Sequence, residues 1–269
     1  MQSEKQYIDL YTEAQQIIKD HAAPVMNEVR DKAFDDFRRL GFPSKKGERY
    51  KYTDMQKLFE PDYGLNLNRL EIPVDPYETF RCDVPNLSTS LYFIVNDQFY
   101  TKALPNVKLN DGVVIDSLSR VAKERPELVK KYYGKLADTE KDAVTALNTM
   151  LAQDGLFIYV PKNVQLDRTV QVINILRSDV DLMVNRRVLI VLEEGAKAQF
   201  LFCDHAADDR NFLATQVIEA FVGDNANLEL NCMEETHAKN VRVSNVYIEQ
   251  QRNSRASHNV ITLHNGVTR

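Results

Sequence analysis

Apolar residues recur at a spacing of thirty along the second half of the chain. The first apolar column consists of Leu166, Ala196, Ala226 and Ala256. The next columns are Ala198, Leu228 and His258, then Phe200, Leu230 and Val260, then Phe202, Cys232 and Thr262. Polar columns lie between them and contain Lys197, Asn227 and Ser257, then Gln199, Glu229 and Asn259. Alternation within each run, repeated at a fixed step, predicts a solenoid whose coils stack on one another.

Short strand-like runs follow one another from Leu156 onward, and no long helical pattern separates them. Parallel strands need a crossover of a dozen or more residues, which the remainder of each coil supplies. The pattern therefore predicts a right-handed parallel β-helix over residues 151–269. A slip of one residue would turn the polar columns inward, so the register is strongly specified. A β-sandwich with coincidental spacing is the alternative.

The first 150 residues carry mixed patterns. Tyr7, Leu10, Tyr11, Ala14 and Ile18 recur at helical spacing, and a second helical stripe ends before Gly41. Leu91–Val95 and Gln98–Tyr100 flank Asn96-Asp97 and predict a hairpin. The fold class is thus α+β: a helical and mixed N-terminal region at residues 1–150, then a parallel β-helix at residues 151–269 that is expected to be incomplete at its C-terminal end.

Composition narrows the function classes. The 269 residues carry a net charge of −5, which disfavours a dedicated nucleic-acid binder. No run of eighteen apolar residues occurs, so no membrane span is expected. The N-terminus lacks the apolar core of a signal peptide, and the three cysteines include no C-x-x-C pair. These features predict a protein of the reducing cytoplasm.

Three segments carry a family resemblance. Residues 40–53 read LGFPSKKGERYKYT, residues 146–164 run from ALNT through DGLFIYVPKNV, and residues 187–196 read RVLIVLEEGA. In this order they resemble signatures of the SufB/SufD family of iron–sulfur cluster assembly proteins, and the helical N-terminal region is most similar to SufD. Tyr50 stands where the family commonly has Trp. The signature positions that we carry over are Gly41, Pro43, Glu48, Tyr50, Lys51, Tyr52 and Thr53, with the expected role of fixing the path of the chain.

The resemblance implies a non-catalytic scaffold of the SUF machinery that works with SufB and the ATPase SufC. ATP hydrolysis and the iron–sulfur cluster would then belong to the assembled complex, and this chain alone would bind no cofactor. The SufD parts that dock SufC and meet SufB are expected to lie beyond this chain, which is expected to be a fragment. Its open end is expected to be covered by missing coils or by self-association. No residue is assigned a catalytic, cofactor-binding or metal-binding role.

Cysteine and histidine side chains are the candidates for metal ligation. They are Cys82, Cys203, His205, Cys232, His237, His258 and His264. Cys203-Asp204-His205 is the tightest group in sequence. Cys232 lies in an apolar column, so a small buried hydrophobe is the favoured interpretation. For His258 we favour a core histidine or a residue at a frayed end.

Three other functions compete with the scaffold: a carbohydrate-active β-helix enzyme, then a plain interaction platform, and a nucleic-acid contact. A β-helix polysaccharide lyase or hydrolase could use Asp204, Asp208 and Asp209 as acid, base or calcium ligands, but that class leaves the segment at residues 40–53 unexplained. Lys45, Lys46, Arg49 and Lys51, interleaved with Tyr50 and Tyr52, permit a nucleic-acid contact. The acidic chain favours a solvated loop instead, so no nucleic-acid partner is expected.

Overall fold

Two β-sheets face each other across an apolar interior in the computed structural model, which describes residues 2–79, 90–102, 104 and 112–269. The strands are β1 Ser90–Val95, β2 Gln98–Phe99, β3 Val114–Ser117, β4 Leu156–Val160, β5 Val170–Leu176, β6 Leu182–Leu192, β7 Lys197–Ala206, β8 Phe212–Val222, β9 Asn227–Glu235, β10 Asn240–Gln250, β11 Arg255–His264 and β12 Val267–Thr268. The helices are α1 Gln2–Asp20, α2 Pro24–Asn27, α3 Arg30–Leu40, α4 Met55–Phe59, α5 Pro76–Thr79, α6 Leu118–Glu124, α7 Pro126–Lys130 and α8 Ala143–Leu151, with a 3-10 turn at Glu48–Tyr50.

Successive strands alternate between the two sheets. The first sheet has the order β3-β4-β6-β8-β10-β12, and the second has the order β2-β1-β5-β7-β9-β11. Within the repeat all neighbours are parallel. This arrangement is a parallel β-solenoid of about four turns, so the predicted solenoid is confirmed and the sandwich alternative is wrong.

The interior of the solenoid is built from the inward residues of both sheets. Val170, Phe200 and Leu230 from the second sheet belong to one buried cluster with Val188 and Ile218 from the first. Each fully buried side chain of this kind contributes about 1.5–3 kcal/mol. Because a single coil would leave its apolar row in water, the coils are stable only when stacked.

A layer of helices covers the outer face of the first sheet. Side chains of α1, α3 and α8 pack on Met183, Leu213 and Val243. Side chains of α2, α6 and α7 pack on Leu189 and Val191. Outward positions of β6 are therefore as buried as its inward ones, which explains why this strand reads as a continuous apolar run.

The predicted step of thirty is correct for only part of the solenoid. Ala198 lies beside Leu228 and Phe200 beside Leu230, as predicted. In the following coil Leu228 lies beside Ala256 and Leu230 beside His258, a step of 28 residues. The columns that placed His258 with Leu228, Val260 with Leu230 and Thr262 with Cys232 are therefore wrong. Both steps are even, so the same residues still point inward.

The polar columns and the first apolar column shift for the same reason. Asn227 lies beside Arg255, and Glu229 beside Ser257, so Ser257 and Asn259 are each two positions from their predicted partners. Leu166 follows the bridge from Gln165 to Lys197 and is therefore not beside Ala196. The turns that connect the strands differ in length from coil to coil, so a constant step does not describe the register of every coil.

The N-terminal region is joined to the solenoid through both sheets. The predicted hairpin is present as β1 and β2, and β1 pairs in parallel with β5. Strand β3 pairs with β4. The boundary between residues 150 and 151 stays a prediction. Within the described ranges, no helix combines the length and the apolar character that a membrane crossing would need.

Candidate functional site

The signature segment at residues 40–53 packs against the helical layer. Gly41 ends α3 with a φ of 59°, and its N–H donates to the Phe37 carbonyl. The Phe42 N–H then donates to Glu4 Oε1 at 3.2 Å, and the Phe42 ring lies 4.4 Å from the Phe59 ring. A glycine is suited to this turn because a side chain is strained at positive φ.

Tyr50 connects this segment to the solenoid. Its hydroxyl donates to Asp142 Oδ2 at 3.0 Å, and the Arg269 guanidinium lies 4.8 Å from its ring centre. Asp142 caps α8 by accepting from the Thr145 N–H at 2.8 Å and also accepts from Asn245 on β10 at 2.8 Å. Tyr50 therefore contacts both the cap of α8 and the last coil, and its role in fixing the path of the chain stays a prediction.

The basic part of the same segment is at the surface. Tyr52 is 90% exposed and has the Lys51 ammonium 5.5 Å from its ring centre. Lys45 pairs with Asp54 at 3.0 Å. This is the solvated loop favoured by the sequence.

A buried ion pair joins the solenoid to the helical layer. Arg187 Nη2 lies 2.6 Å from Glu219 Oε2, and both side chains are fully buried. The Glu219 carboxylate also accepts from the backbone N–H groups of Gly134, Leu136 and Ala137. Arg187 Nη1 donates to Thr149 Oγ1 on α8 at 2.9 Å. Two neighbouring coils and two parts of the helical layer therefore meet at one pair of charges.

A second charged group lies inside the solenoid. Asp204 accepts from Arg186 and, at 2.9 Å, from Arg242. The Arg242 Nε lies 3.2 Å from Glu234 Oε1, and Glu234 Oε2 accepts from Thr262 at 3.1 Å. The two carboxylates balance the two guanidinium groups, which is the condition under which buried charges are tolerated. The sequence analysis considered Asp204 only as an acid, base or calcium ligand, whereas Arg186, Arg242 and Glu234 appeared only as polar residues within strand-like runs.

The acidic residues that a carbohydrate-active enzyme would need are engaged in ion pairs. Asp204 is held by two arginines, Asp208 pairs with Arg177 at 2.8 Å, and Asp209 pairs with Lys239. These contacts hold coils together and do not form a pair of carboxylates facing a shared cleft, which glycoside hydrolysis requires.

The candidate metal ligands are mostly separated. Cys203 is fully buried on the outer face of the second sheet among Phe93, Ile173 and Ile175. Burial lowers the pKa of His205, although the nearby carboxylates of Asp204 and Glu235 act in the opposite direction. His237 Nε2 contacts the Asp208 carbonyl, His264 Nδ1 contacts the Thr236 carbonyl, and Cys82 lies outside the described residues.

Cys232 and His258 are brought together. The sulfur of Cys232 lies 3.7 Å from His258 Nε2. Cys232 is 4% exposed, and its burial raises the pKa of the thiol to about 12. Partial burial and the charge of Arg242 lower the pKa of His258. Over the described ranges, no group of three or more His, Cys, Asp and Glu side chains is arranged to hold one metal ion.

These observations define a class of protein: a parallel β-solenoid with a helical layer, whose buried charges connect its parts. Comparison with known proteins gives the family. The model of the SufBD protein N-terminal region matches residues 1–172, and the model described as SUF system FeS cluster assembly, SufBD core domain, matches residues 174–269. The chain belongs to the SufBD family.

The chain shares 25–29% sequence identity with three curated relatives. The chain is 29% identical to the chloroplastic SufBD family protein ABCI8 of Arabidopsis thaliana over 79% of its own length and 40% of that protein. It is 25% identical to the Arabidopsis SufBD family protein ABCI9 over 75% of its length and 47% of that protein. Identity to SufD of Bacillus subtilis is 29%, over 54% of the chain and 34% of the relative. The chain therefore spans less than half the length of these relatives.

Proposed function

We propose that this chain is a SufD-like, non-catalytic scaffold of the SUF iron–sulfur cluster assembly system, working with a SufB-type protein and a SufC-type ATPase. The two SufBD family models, which between them match both halves of the chain, carry this proposal. ATP hydrolysis and cluster chemistry are assigned to the complex.

Purification of the native complex tests the proposal. A tag fused to the N-terminus of the chromosomal gene is used to isolate the protein from its source cells, and mass spectrometry identifies what accompanies it. We expect a SufB-type protein and an ABC-type ATPase, and neither from an untagged strain. Recovery of the protein without either partner would contradict the proposal. Fractionation of the same cells tests the cytoplasmic location that we propose.

We also propose that the last coil mediates self-association. Strand β11 is the terminal strand of the described second sheet, and Val260, Ile261 and Leu263 are 49%, 56% and 60% exposed. An apolar strand at a sheet edge is prone to pairing with another chain. Sedimentation analysis is expected to show dimers that Ile261→Lys weakens and Lys197→Ala does not. A concentration-independent monomer would exclude this proposal.

A further inference from the structure

The shortened step of the last coil changes which side chains meet inside the solenoid. With a step of thirty, His258 would lie beside Leu228, four positions from Cys232. The observed step of 28 places His258 beside Leu230 and Val260 beside Cys232. Cys232 and His258 are therefore diagonal neighbours on the same inward face, since side chains two apart on a strand share a face.

Both residues interrupt columns that are otherwise apolar. Val170, Phe200 and Leu230 precede His258 in one column, and Val172, Phe202 and Cys232 precede Val260 in the next. Thiolate sulfur and imidazole nitrogen are two of the ligand types that proteins use for zinc and related metals. They occur here side by side, on the last two strands at one end of the described second sheet.

The distance between the two ligand atoms fits one tetrahedral centre. Zinc–sulfur bonds are about 2.3 Å and zinc–nitrogen bonds about 2.0–2.1 Å. At a tetrahedral angle these lengths separate the two ligand atoms by about 3.6 Å. The observed separation of Cys232 Sγ and His258 Nε2 is 3.7 Å, so one metal ion could contact both atoms with almost no movement of either residue.

The surroundings leave room for outside ligands. His258 is exposed, whereas Cys232 is buried, so the pair is open on one side only. The carboxylates that follow on the inward face, Asp204 and Glu234, are held by Arg186, Arg242 and Thr262. The protein thus offers two ligands, and the remaining positions would be taken by water or by a donor from another molecule.

We propose that Cys232 and His258 form an open, two-ligand site for a soft divalent metal ion. The inference stands on these contacts and does not depend on the proposed function. Binding replaces the thiol proton of Cys232, which is released to solvent, by a sulfur–metal bond. The lone pair of the neutral imidazole supplies the second bond.

Titration of the purified chain with Co²⁺ tests the site, with Zn²⁺ as the competitor. Thiolate ligation gives a sulfur-to-cobalt charge-transfer absorption in the near ultraviolet, and Zn²⁺ should abolish it. We expect His258→Gln and Cys232→Ser each to lower the affinity at least tenfold, since even outer-shell changes cost about 10–100-fold. His258→Cys should keep Co²⁺ binding and strengthen the charge-transfer absorption, because it replaces the imidazole by a second thiolate.

Two matched variants serve as controls. Cys203→Ser removes a buried thiol from the outer face, and His264→Gln removes an exposed imidazole from the same strand, so neither should change the titration. Because His258 is exposed, His258→Gln is informative even if Cys232→Ser unfolds, which circular dichroism would reveal. The proposal is overturned if His258→Gln binds Co²⁺ like the unaltered chain, if Cys203→Ser loses the absorption, or if no absorption appears. In the last case the contact would be a thiol–imidazole hydrogen bond only.

Discussion

Arg187 and Glu219 form an ion pair of 2.6 Å in which neither side chain reaches solvent. They lie on adjacent strands of the first sheet, β6 and β8, and the carboxylate also accepts three backbone N–H groups from the loop at residues 134–137. The ion pair thus connects the solenoid to the helical layer.

Replacing Glu219 by Gln is expected to destabilise the fold by about 3–5 kcal/mol, because the Arg187 charge would remain buried without its counter-charge. Denaturant unfolding followed by circular dichroism measures the change. Glu194→Gln removes the exposed partner of Lys162 and serves as the control, with no measurable effect expected. Equal unfolding free energies of the two variants would show that the Arg187–Glu219 pair does not stabilise the fold.

Removing the Tyr50 hydroxyl tests the role of the signature segment. Tyr50→Phe is expected to lower the free energy of unfolding by about 1–2 kcal/mol, since the lost hydrogen bond goes to the Asp142 carboxylate. Tyr52→Phe should leave it unchanged because Tyr52 is 90% exposed. Thermal unfolding of both variants compares the two tyrosines, and a larger loss in Tyr52→Phe would refute this assignment.

Gly155 lies where the chain enters the solenoid and passes close to β6. A Cβ at this position would be 1.9 Å from the Arg187 carbonyl oxygen. We expect Gly155→Ala to destabilise the protein at the upper end of the roughly 1–3 kcal/mol caused by overpacking, because the obstructing atom belongs to the backbone. Gly47→Ala, whose Cβ would be 3.7 Å from the Ser44 carbonyl oxygen, is the control and should be tolerated in the same unfolding assay.

His205 should make the protein sensitive to mild acid. Its pKa is lowered from 6.5 by burial, so below that pH the unfolded chain takes up the proton first. Stability is therefore complete above pH 6.5 and falls as the pH decreases toward the folded-state pKa. The slope is expected to be a fraction of the roughly 1.4 kcal/mol per pH unit that one proton can contribute.

The measurement compares unfolding free energies from pH 7.5 down to the mildly acidic range, about one to two units below the ordinary histidine pKa. His205→Gln should flatten this part of the curve, whereas His21→Gln, at an exposed position, should not. A curve that keeps its slope in His205→Gln would assign the acid sensitivity to other groups.

The sequence predicted the solenoid from particular columns, and the pairs Ala198–Leu228 and Phe200–Leu230 are confirmed. It also led to the correct family through the segments at residues 40–53, 146–164 and 187–196. It did not predict the partners of Arg186, Arg187 or Glu219, because polar letters inside apolar strands do not reveal which distant carboxylate or guanidinium will meet them. The sequence analysis treated Cys232 and His258 as unrelated residues, because a constant step of thirty places His258 beside Leu228 and not beside Leu230.

The sequence by itself determined which side chains point inward, because a strand alternates its faces with a period of two and any even step preserves that alternation. Only the tertiary structure decided which inward residues become neighbours, because corner lengths set the register of each coil. The tertiary structure also decided that both faces of the first sheet are buried, because the helices of the N-terminal region cover its outer face.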